Sequence, residues 1–503
     1  MRTHVDGASV GSKGDASTTS SLFAPGVSSG PEQPPIDLKT ARVHLIGIGG
    51  AGMSGAASLL LNLGAKVTGS DQIPFDGMGI LVEKGALVSV GHRAGQLDPS
   101  VDCVVISAAI GESNPELLAA RAGGLLVLKY AELAGALMRQ HEHGVAIAGT
   151  HGKSTTTAMC VHLCREAGLD PSFLLGARSS QLGGGSGIGT GKHFIVEACE
   201  FDRSFLHLAP DAAAILNVEL DHLDCYGDLD DIIEAFNRFS RSIRPDGYLV
   251  CHAEDQTALR VMAGCSANVE SIGFTDRADW QAVNLREERG CFSFDVLHHD
   301  EAIGETRLSV PGRYNVSNAL AAIALAHHAG ADLESVAQAL PTFGGIDRRM
   351  TWRGAAGGVT LVDDYAHHPT EIRVTLEAAK RRYEPKRTWV VFQPHQAART
   401  RHLMDGFAEA LTVVDETIVL DAFGAREQAE DDEGRGEVSS SEKLAQRIRR
   451  NGGEAQYMQD SGMAARHVVQ NVLPGDLVIT MGAGDVWKVA DELVEQICRP
   501  HGA

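Results

Sequence analysis

The strongest constraint on this chain is a repeated unit: a short apolar run closes on glycine and passes directly into a helix-patterned segment. "RVHLIGIGG" at 42–50 leads into "MSGAASLLLNLG" at 53–64, and "GVAIAG" at 144–149 leads into "KSTTTAMCVHLCREAG" at 153–168. A continuous apolar run of that length is what a strand covered by helices on both faces requires. The glycine lets the backbone turn tightly into the helix that follows. "KVTGSD", "VDCVVISAA", "HFIVEACE", "AAAILNVELDH", "GVTLVDDYAHH", "TWVVFQPH", "ETIVLDAF" and "DLVITMGAGD" read as further strands. Alternation of this kind predicts an α/β chain with mainly parallel sheets.

At 503 residues the chain exceeds one hydrophobic core. Three α/β units are expected, at 40–141, 142–346 and 347–503, after a Ser/Gly/Pro-rich tail at 1–39 that has little to bury and reads as disordered. The stretch 426–442 reads as a solvated loop, and "DLDDIIEAFNRFSRSI" as an amphipathic helix with Ile232, Ile233, Phe236, Phe239 and Ile243 on one face. The net charge of −21 argues against nucleic acid or an anionic membrane as partner. No apolar run reaches the ~20 residues that span a bilayer. Nine scattered cysteines without a CxxC pair read as reduced thiols of a cytoplasmic protein.

Residues 149–155, Gly149-Thr150-His151-Gly152-Lys153-Ser154-Thr155, stand between a strand and a helix. The stretch is a shortened phosphate loop, because Ile147 occupies the place of the first glycine of the usual pattern. Its chemistry survives: glycines allow backbone N–H groups to close on phosphate oxygens, the helix N-terminus adds positive potential, Lys153 reaches terminal phosphates and Ser154 offers a hydroxyl to Mg²⁺. A second glycine loop, "GIGGAGMSG", carries Gly47, Gly49, Gly50, Gly52 and Met53. Asp71 follows 19 residues after Gly52, where a dinucleotide fold places its ribose-binding acid. Alone it would suggest an NAD-linked oxidoreductase. Two phosphate loops in one chain point instead to a ligase or kinase, one loop for ATP and one for a phosphorylated substrate.

Acidic and imidazole groups collect where strands end: Glu200 and Asp202, then Asn217, Glu219, Asp221 and His222, with Asp224 and Asp228 read as helix caps. Open α/β sheets bind ligands at those ends. Glu200 and His222 suit a cation that bridges ATP phosphates. In the third unit Asp363, Tyr365, His367, His395, Arg399 and Arg401 are expected to line one crevice, arginine being suited to carboxylate or phosphate. His368 and His402 read as surface residues, and the pairs His298–His299 and His327–His328 lack metal-ligand context.

Nine segments in this order, "GIGGAGMSG", "VTGSD", "GTHGKSTTT", "EACEFDRSFLHLAP", "NVELDHLDCY", "PGRYNVSNALAAI", "DDYAHHPTEI", "FQPH…RTR" and "GDLVITMGAGD", resemble the Mur ligases of peptidoglycan synthesis over residues 40–498. The resemblance implies a Rossmann-like UDP-binding domain, a central P-loop ATPase-like domain and a Rossmann-like C-terminal domain that binds the amino acid. It implies that Gly47, Gly49, Gly50, Gly52 and Met53 hold a UDP-sugar diphosphate, with Ser70 and Asp71 near the uridine. Gly149 to Thr155, Asn315 and Arg348 or Arg349 would serve ATP; Ser154, Glu200 and His222 would hold Mg²⁺. Tyr365, His367, His395 and Arg399 would face the amino acid and the carboxylate, and Lys153, Glu200, His222, His367 and Arg399 would carry the chemistry. The implied activity is ATP-dependent joining of L-alanine to the lactyl carboxylate of UDP-N-acetylmuramate through an acyl phosphate, by a monomer or homodimer. A tripeptide-adding recycling ligase of the same family is the near alternative. Ser154 stands where the family often has Thr, Tyr314 where histidine is common, and Gln396-Ala397 where Arg-Tyr is common, so the amino-acid preference is the part the resemblance carries least.

Overall fold

The computed structural model describes residues 37–75, 77–222, 225–424 and 438–498. The tail expectation for 1–36, the cap expected at Asp224 and residues 426–437 of the expected loop lie outside them.

Three sheets form. The first has five parallel strands in the spatial order Leu87–Val90, Lys66–Asp71, Arg42–Ile46, Cys103–Ile106, Leu126–Lys129. The helix Ala51–Leu63 follows the central strand and ends where Gly64, at φ 105°, adopts the left-handed conformation that glycine tolerates.

The second sheet has ten strands. Its parallel core runs Asn268–Gly273, Tyr248–His252, Ala212–Ile215, His143–Ala148, His193–Glu197 and Ser172–Ser179. The helix Lys153–Glu166 leaves the strand His143–Ala148 and packs against the Ala-rich helix Tyr314–His328, where small side chains permit close approach. Ile232, Ile233, Phe236, Phe239 and Ile243 are all buried, as their spacing predicted, and Asp228 caps their helix by accepting the Asp231 N–H.

One edge of this sheet was not read from sequence. Strands Trp280–Glu288, Cys291–His298 and Glu301–Arg307 form an antiparallel meander. The signal was there: Phe292, Phe294 and Val296 alternate inward, and the two-residue turn Arg289-Gly290 has both φ values positive, as hairpin turns of that length require.

The third sheet runs Thr351–Ala356, Val359–Asp364, Asp476–Met481, Arg387–Phe392, Glu416–Val419, Ala455–Tyr457, and only its first strand is antiparallel. Pro369 opens the helix Pro369–Tyr383. The expected loop at 426–442 is shortened, because Ser439 caps a helix that starts at Ser440. The eight described cysteine side chains are free thiols, and no described helix is long and apolar enough to cross a membrane.

Candidate active site

In the first sheet the glycine loop is built tightly. A Cβ on Gly49 would lie 2.6 Å from the Phe75 ring, and one on Gly52 2.6 Å from Tyr130, so neither position admits a side chain. Gly47 turns at φ 80°, and Gly50 precedes the helix, whose first N–H groups have no side-chain cap. Asp71 is turned inward, where its carboxylate accepts the Gly49 N–H at 2.8 Å. It therefore braces the loop, which is not the free ribose acceptor that the nicotinamide alternative needs.

Two of the residues expected at this loop have buried side chains. Met53 is 3% exposed and packs in the core, so only its backbone faces the loop. Ser70 is fully buried, because its hydroxyl donates to Glu116 at 2.6 Å and meets His92 Nδ1 at 2.9 Å.

Glu116, missed in the sequence, is the hub of that network. Its carboxylate also takes His44 Nε2 and the Arg93 N–H, each at 3.0 Å. Burial alone would raise its pKa; the bonds from His44, Ser70 and Arg93 outweigh that and lower it. Glu116→Ala would strand three polar groups away from water, and a loss of about 3 kcal/mol in unfolding free energy is expected, measured by urea titration.

The phosphate loop of the second sheet is closed from behind. Asn217 accepts the His151 N–H at 2.7 Å and donates to the His151 carbonyl at 3.0 Å. Gly152, at φ 85°, sits where a Cβ would meet Asn318 at 2.6 Å. Lys153 Nζ donates to the carbonyls of Gly149 and Thr150 and pairs with Glu200 at 2.9 Å. Glu200 is 3% exposed, with His222 Nε2 3.5 Å away and its own backbone carbonyl accepting the Tyr226 hydroxyl at 2.6 Å. Burial would raise the Glu200 pKa, but Lys153 and then His222 hold it below the ordinary value. Ser154 is half-buried on the first turn of the helix beside Lys153. Asp202 departs from the site and pairs with Lys129 of the first unit at 2.7 Å.

Beside the loop lies a cavity of about 350 Å³, whose lining includes Thr155, His252, Tyr314, Asn315, Asn318 and Arg349. Asn315 is buried there and bonded to Pro311 and Asn318. Tyr314, which stands where histidine is common in the family, forms part of the wall. Arg348 is directed elsewhere, onto Asp363 at 3.1 Å and the carbonyls of Gly482 and Gly484. Its neighbour Arg349 lines the cavity and pairs with Glu371 at 3.3 Å.

The third unit meets the phosphate loop through an ionic seam. His151 lies 3.5 Å from both Glu219 and Glu371. Thr370 donates to Glu219 at 2.9 Å, and the rings of His151 and His368 are 4.8 Å apart. His368, expected at the surface, is 6% exposed because it caps the helix at Pro369 and faces His151; His402 is exposed, as expected. Both carboxylate oxygens of Asp221 accept from a single terminal nitrogen, Nη2, of Arg399, which is 9% exposed. His367 packs against Tyr365 and His395 with ring centroids 5.3 and 5.8 Å apart. Arg401 is exposed. Glu371 was missed; its signal was its place on the first turn after Pro369, where it takes the His367 N–H.

Burial pushes His367 down to about 3 and His368 down to about 4, so both are neutral near pH 7. Burial acts the same way on His151, but Glu219 and Glu371 outweigh it and raise its pKa to about 9. The free imidazole value is about 6.5. The stability His151 adds is therefore complete below pH 6.5 and is lost as pH rises through about 9. Relative to wild type, His151→Gln should show a flatter fall in unfolding free energy between pH 7 and 10.

Residues 42–142 match the "Mur ligase family, catalytic domain", 147–326 the "Mur ligase middle domain", and 348–484 the "Mur ligase, glutamate ligase domain". The chain belongs to the Mur ligase family. This Mur ligase is 41% identical over 455 residues to the UDP-N-acetylmuramate–L-alanine ligase of Acetivibrio thermocellus, covering 90% of this chain and 95% of that one. Its fold matches the UDP-N-acetylmuramate–alanine ligase structure of Thermotoga maritima with a TM-score of 0.77 at 27% identity, covering 91% of this chain and 99% of the other. A murein peptide ligase from Psychrobacter arcticus matches with a TM-score of 0.71 at 26% identity, covering 92% and 100%. The three-domain α/β architecture expected of this Mur ligase is the one observed.

Proposed function

We propose that the chain joins L-alanine to UDP-N-acetylmuramate at the expense of ATP, forming UDP-N-acetylmuramoyl-L-alanine, ADP and phosphate. The observation that carries this is the convergence of Lys153, Glu200 and His222 from the central unit with Asp221–Arg399 and His367 at one seam, in a chain about 40% identical to alanine-adding ligases over nine-tenths of its length. The glycine loop of the first unit would take the UDP-sugar diphosphate on its helix N-terminus. The cavity walled by Asn315, Tyr314 and Arg349 would take the adenosine of ATP.

Glu200 and Ser154 offer the carboxylate and hydroxyl oxygens suited to a Mg²⁺ that keeps waters and binds substrate phosphates, and the His222 imidazole, 3.5 Å from Glu200, would be a less usual third donor. When bound, Mg²⁺ would neutralise charge on the phosphates. Lys153, held over the loop carbonyls, is placed to stabilise the γ-phosphoryl group as the lactyl carboxylate attacks it and ADP leaves. The amine of alanine then attacks the acyl carbon of the acyl phosphate, a C–N bond forms, and phosphate departs. The proton that the amine gives up can leave on the departing phosphate; His367, which burial keeps neutral and weakly basic at pH 7, would line the site rather than act as the base. The buried seam between the units excludes water from the acyl phosphate. We place the chain in the cytoplasm, in keeping with its free thiols.

The test is ADP release with UDP-N-acetylmuramate, Mg²⁺ and ATP, each acceptor being added separately. L-Alanine is expected to exceed glycine, L-serine and L-Ala-D-Glu-meso-diaminopimelate in kcat/KM. Preference for the tripeptide would assign the chain to recycling, and no ADP with any acceptor would overturn the ligase reading.

A further inference from the structure

The histidine pairs that sequence spacing left without context are brought together at the far edge of the central sheet. His298 ends the strand Cys291–His298, His299 opens the turn that follows, and His327 and His328 end the helix Tyr314–His328. All four rings gather around Glu270, on the strand Asn268–Gly273.

The two oxygens of Glu270 have different company. Oε2 accepts the Trp280 indole N–H at 2.6 Å and lies 3.0 Å from His328 Nε2, which fixes the plane of the carboxylate. Oε1 faces His298 Nε2 at 3.7 Å and His299 Nε2 at 3.9 Å, too far for hydrogen bonds. Four-coordinate zinc with bonds of about 2.0–2.2 Å separates its ligand atoms by roughly 3.3–3.6 Å. The three residues offer ligand atoms that lie within 4.8 Å of one another, so they close on such an ion with side-chain shifts of up to about 1 Å.

Each ligand is oriented in advance. His298 lies flat on Trp280, with centroids 3.8 Å apart and planes 13° apart, and its Nε2 is buried without a hydrogen-bond partner. His299 and Asp300 have φ values of 49° and 65°, so the tight turn holds His299 in place. Asp279 lies at ion-pair distance, 3.5 Å, from His299 Nδ1, and its backbone carbonyl accepts the His299 N–H at 2.8 Å, which ties the turn down. His299 is exposed, which leaves a side open for water as a fourth ligand.

We infer that Glu270, His298 and His299 form a binding site for a divalent transition-metal ion of the zinc class, separate from the phosphate loop. Two imidazoles and one carboxylate favour zinc over magnesium, which takes oxygen ligands. The ion would fasten the turn of the meander to the strand Asn268–Gly273, and Glu270 joins that strand in turn to the end of the helix whose start lines the cavity.

The experiment is a calorimetric Zn²⁺ titration of the untagged full chain, alongside His299→Ala. His299 is exposed and outside the core, so this variant is expected to fold and to release ADP at the wild-type rate. Wild type is expected to bind one more zinc than the variant, or to bind it at least ~100-fold more tightly. Its thermal unfolding temperature should rise with one equivalent of zinc while that of His299→Ala stays put. Mg²⁺ at millimolar concentration should not displace the ion. Equal stoichiometry and affinity in the two proteins would overturn the site, and displacement by Mg²⁺ would overturn its assigned class. Zinc held elsewhere, for instance near His151 and Glu219, appears in both proteins and cancels in the comparison. His298→Gln supplies a second variant with the same expected loss.

Discussion

Replacing Lys153 by methionine is expected to lower ADP release by about 10³-fold, roughly 4 kcal/mol of transition-state stabilisation. Lys153 is the cation that the structure holds at the mouth of the phosphate loop, between two loop carbonyls and the buried Glu200 carboxylate. Methionine keeps the length and apolar stem and removes the charge. Binding of UDP-N-acetylmuramate, followed by calorimetry without ATP, should change little, because the glycine loop proposed to hold it belongs to a different sheet. A variant that releases ADP within tenfold of wild type would remove Lys153 from the chemistry. Loss of UDP-sugar binding together with activity would point to a folding defect.

The second large effect is expected at Arg399. Its guanidinium and the Asp221 carboxylate are both nearly excluded from solvent, and they join the third unit to the central one. Burial alone would raise the Asp221 pKa; His222 and Arg399 hold it well below the carboxylate range. Arg399→Ala leaves that charge buried and unpaired, which costs about 3–5 kcal/mol. Removing both partners restores most of the loss, because no lone charge is left. The double variant therefore separates two roles. If Arg399 only docks the units, Arg399→Ala/Asp221→Ala regains activity along with stability. If it also grips a substrate carboxylate, stability returns while kcat/KM for the amino acid stays down by at least ~10²-fold. The second outcome is expected, since Gln396 carries no charge with which to replace it.

Much of this was legible before any coordinates. Lys153 was named from the phosphate loop and Glu200 and His222 from strand ends, and they meet within hydrogen-bonding or ion-pair distance. The side-chain placements that local pattern did not foresee share a physical cause. Ser70 and Met53 sit in ligand-facing motifs, yet a glycine loop exposes its backbone and buries the side chains beneath it. Arg348 and Arg349 are adjacent, so local pattern could not decide which one turns to the cavity; the positive φ at Arg348 does so by directing it into its own domain. His368 looked like a loop residue because its partner, His151, is more than 200 positions away in the chain.

The sequence by itself determined the parallel α/β class, the two glycine loops and the helix starts and stops, because these rest on local periodicity and on conformations open mainly to glycine and proline. Tertiary structure alone decided which charged groups became partners. Glu116 with His44, His151 with Glu219 and Glu371, Asp221 with Arg399, and Glu270 with His298, His299 and His328 are pairings between distant segments. Their energies depend on burial and separation, and neither quantity exists until the sheets have closed around them.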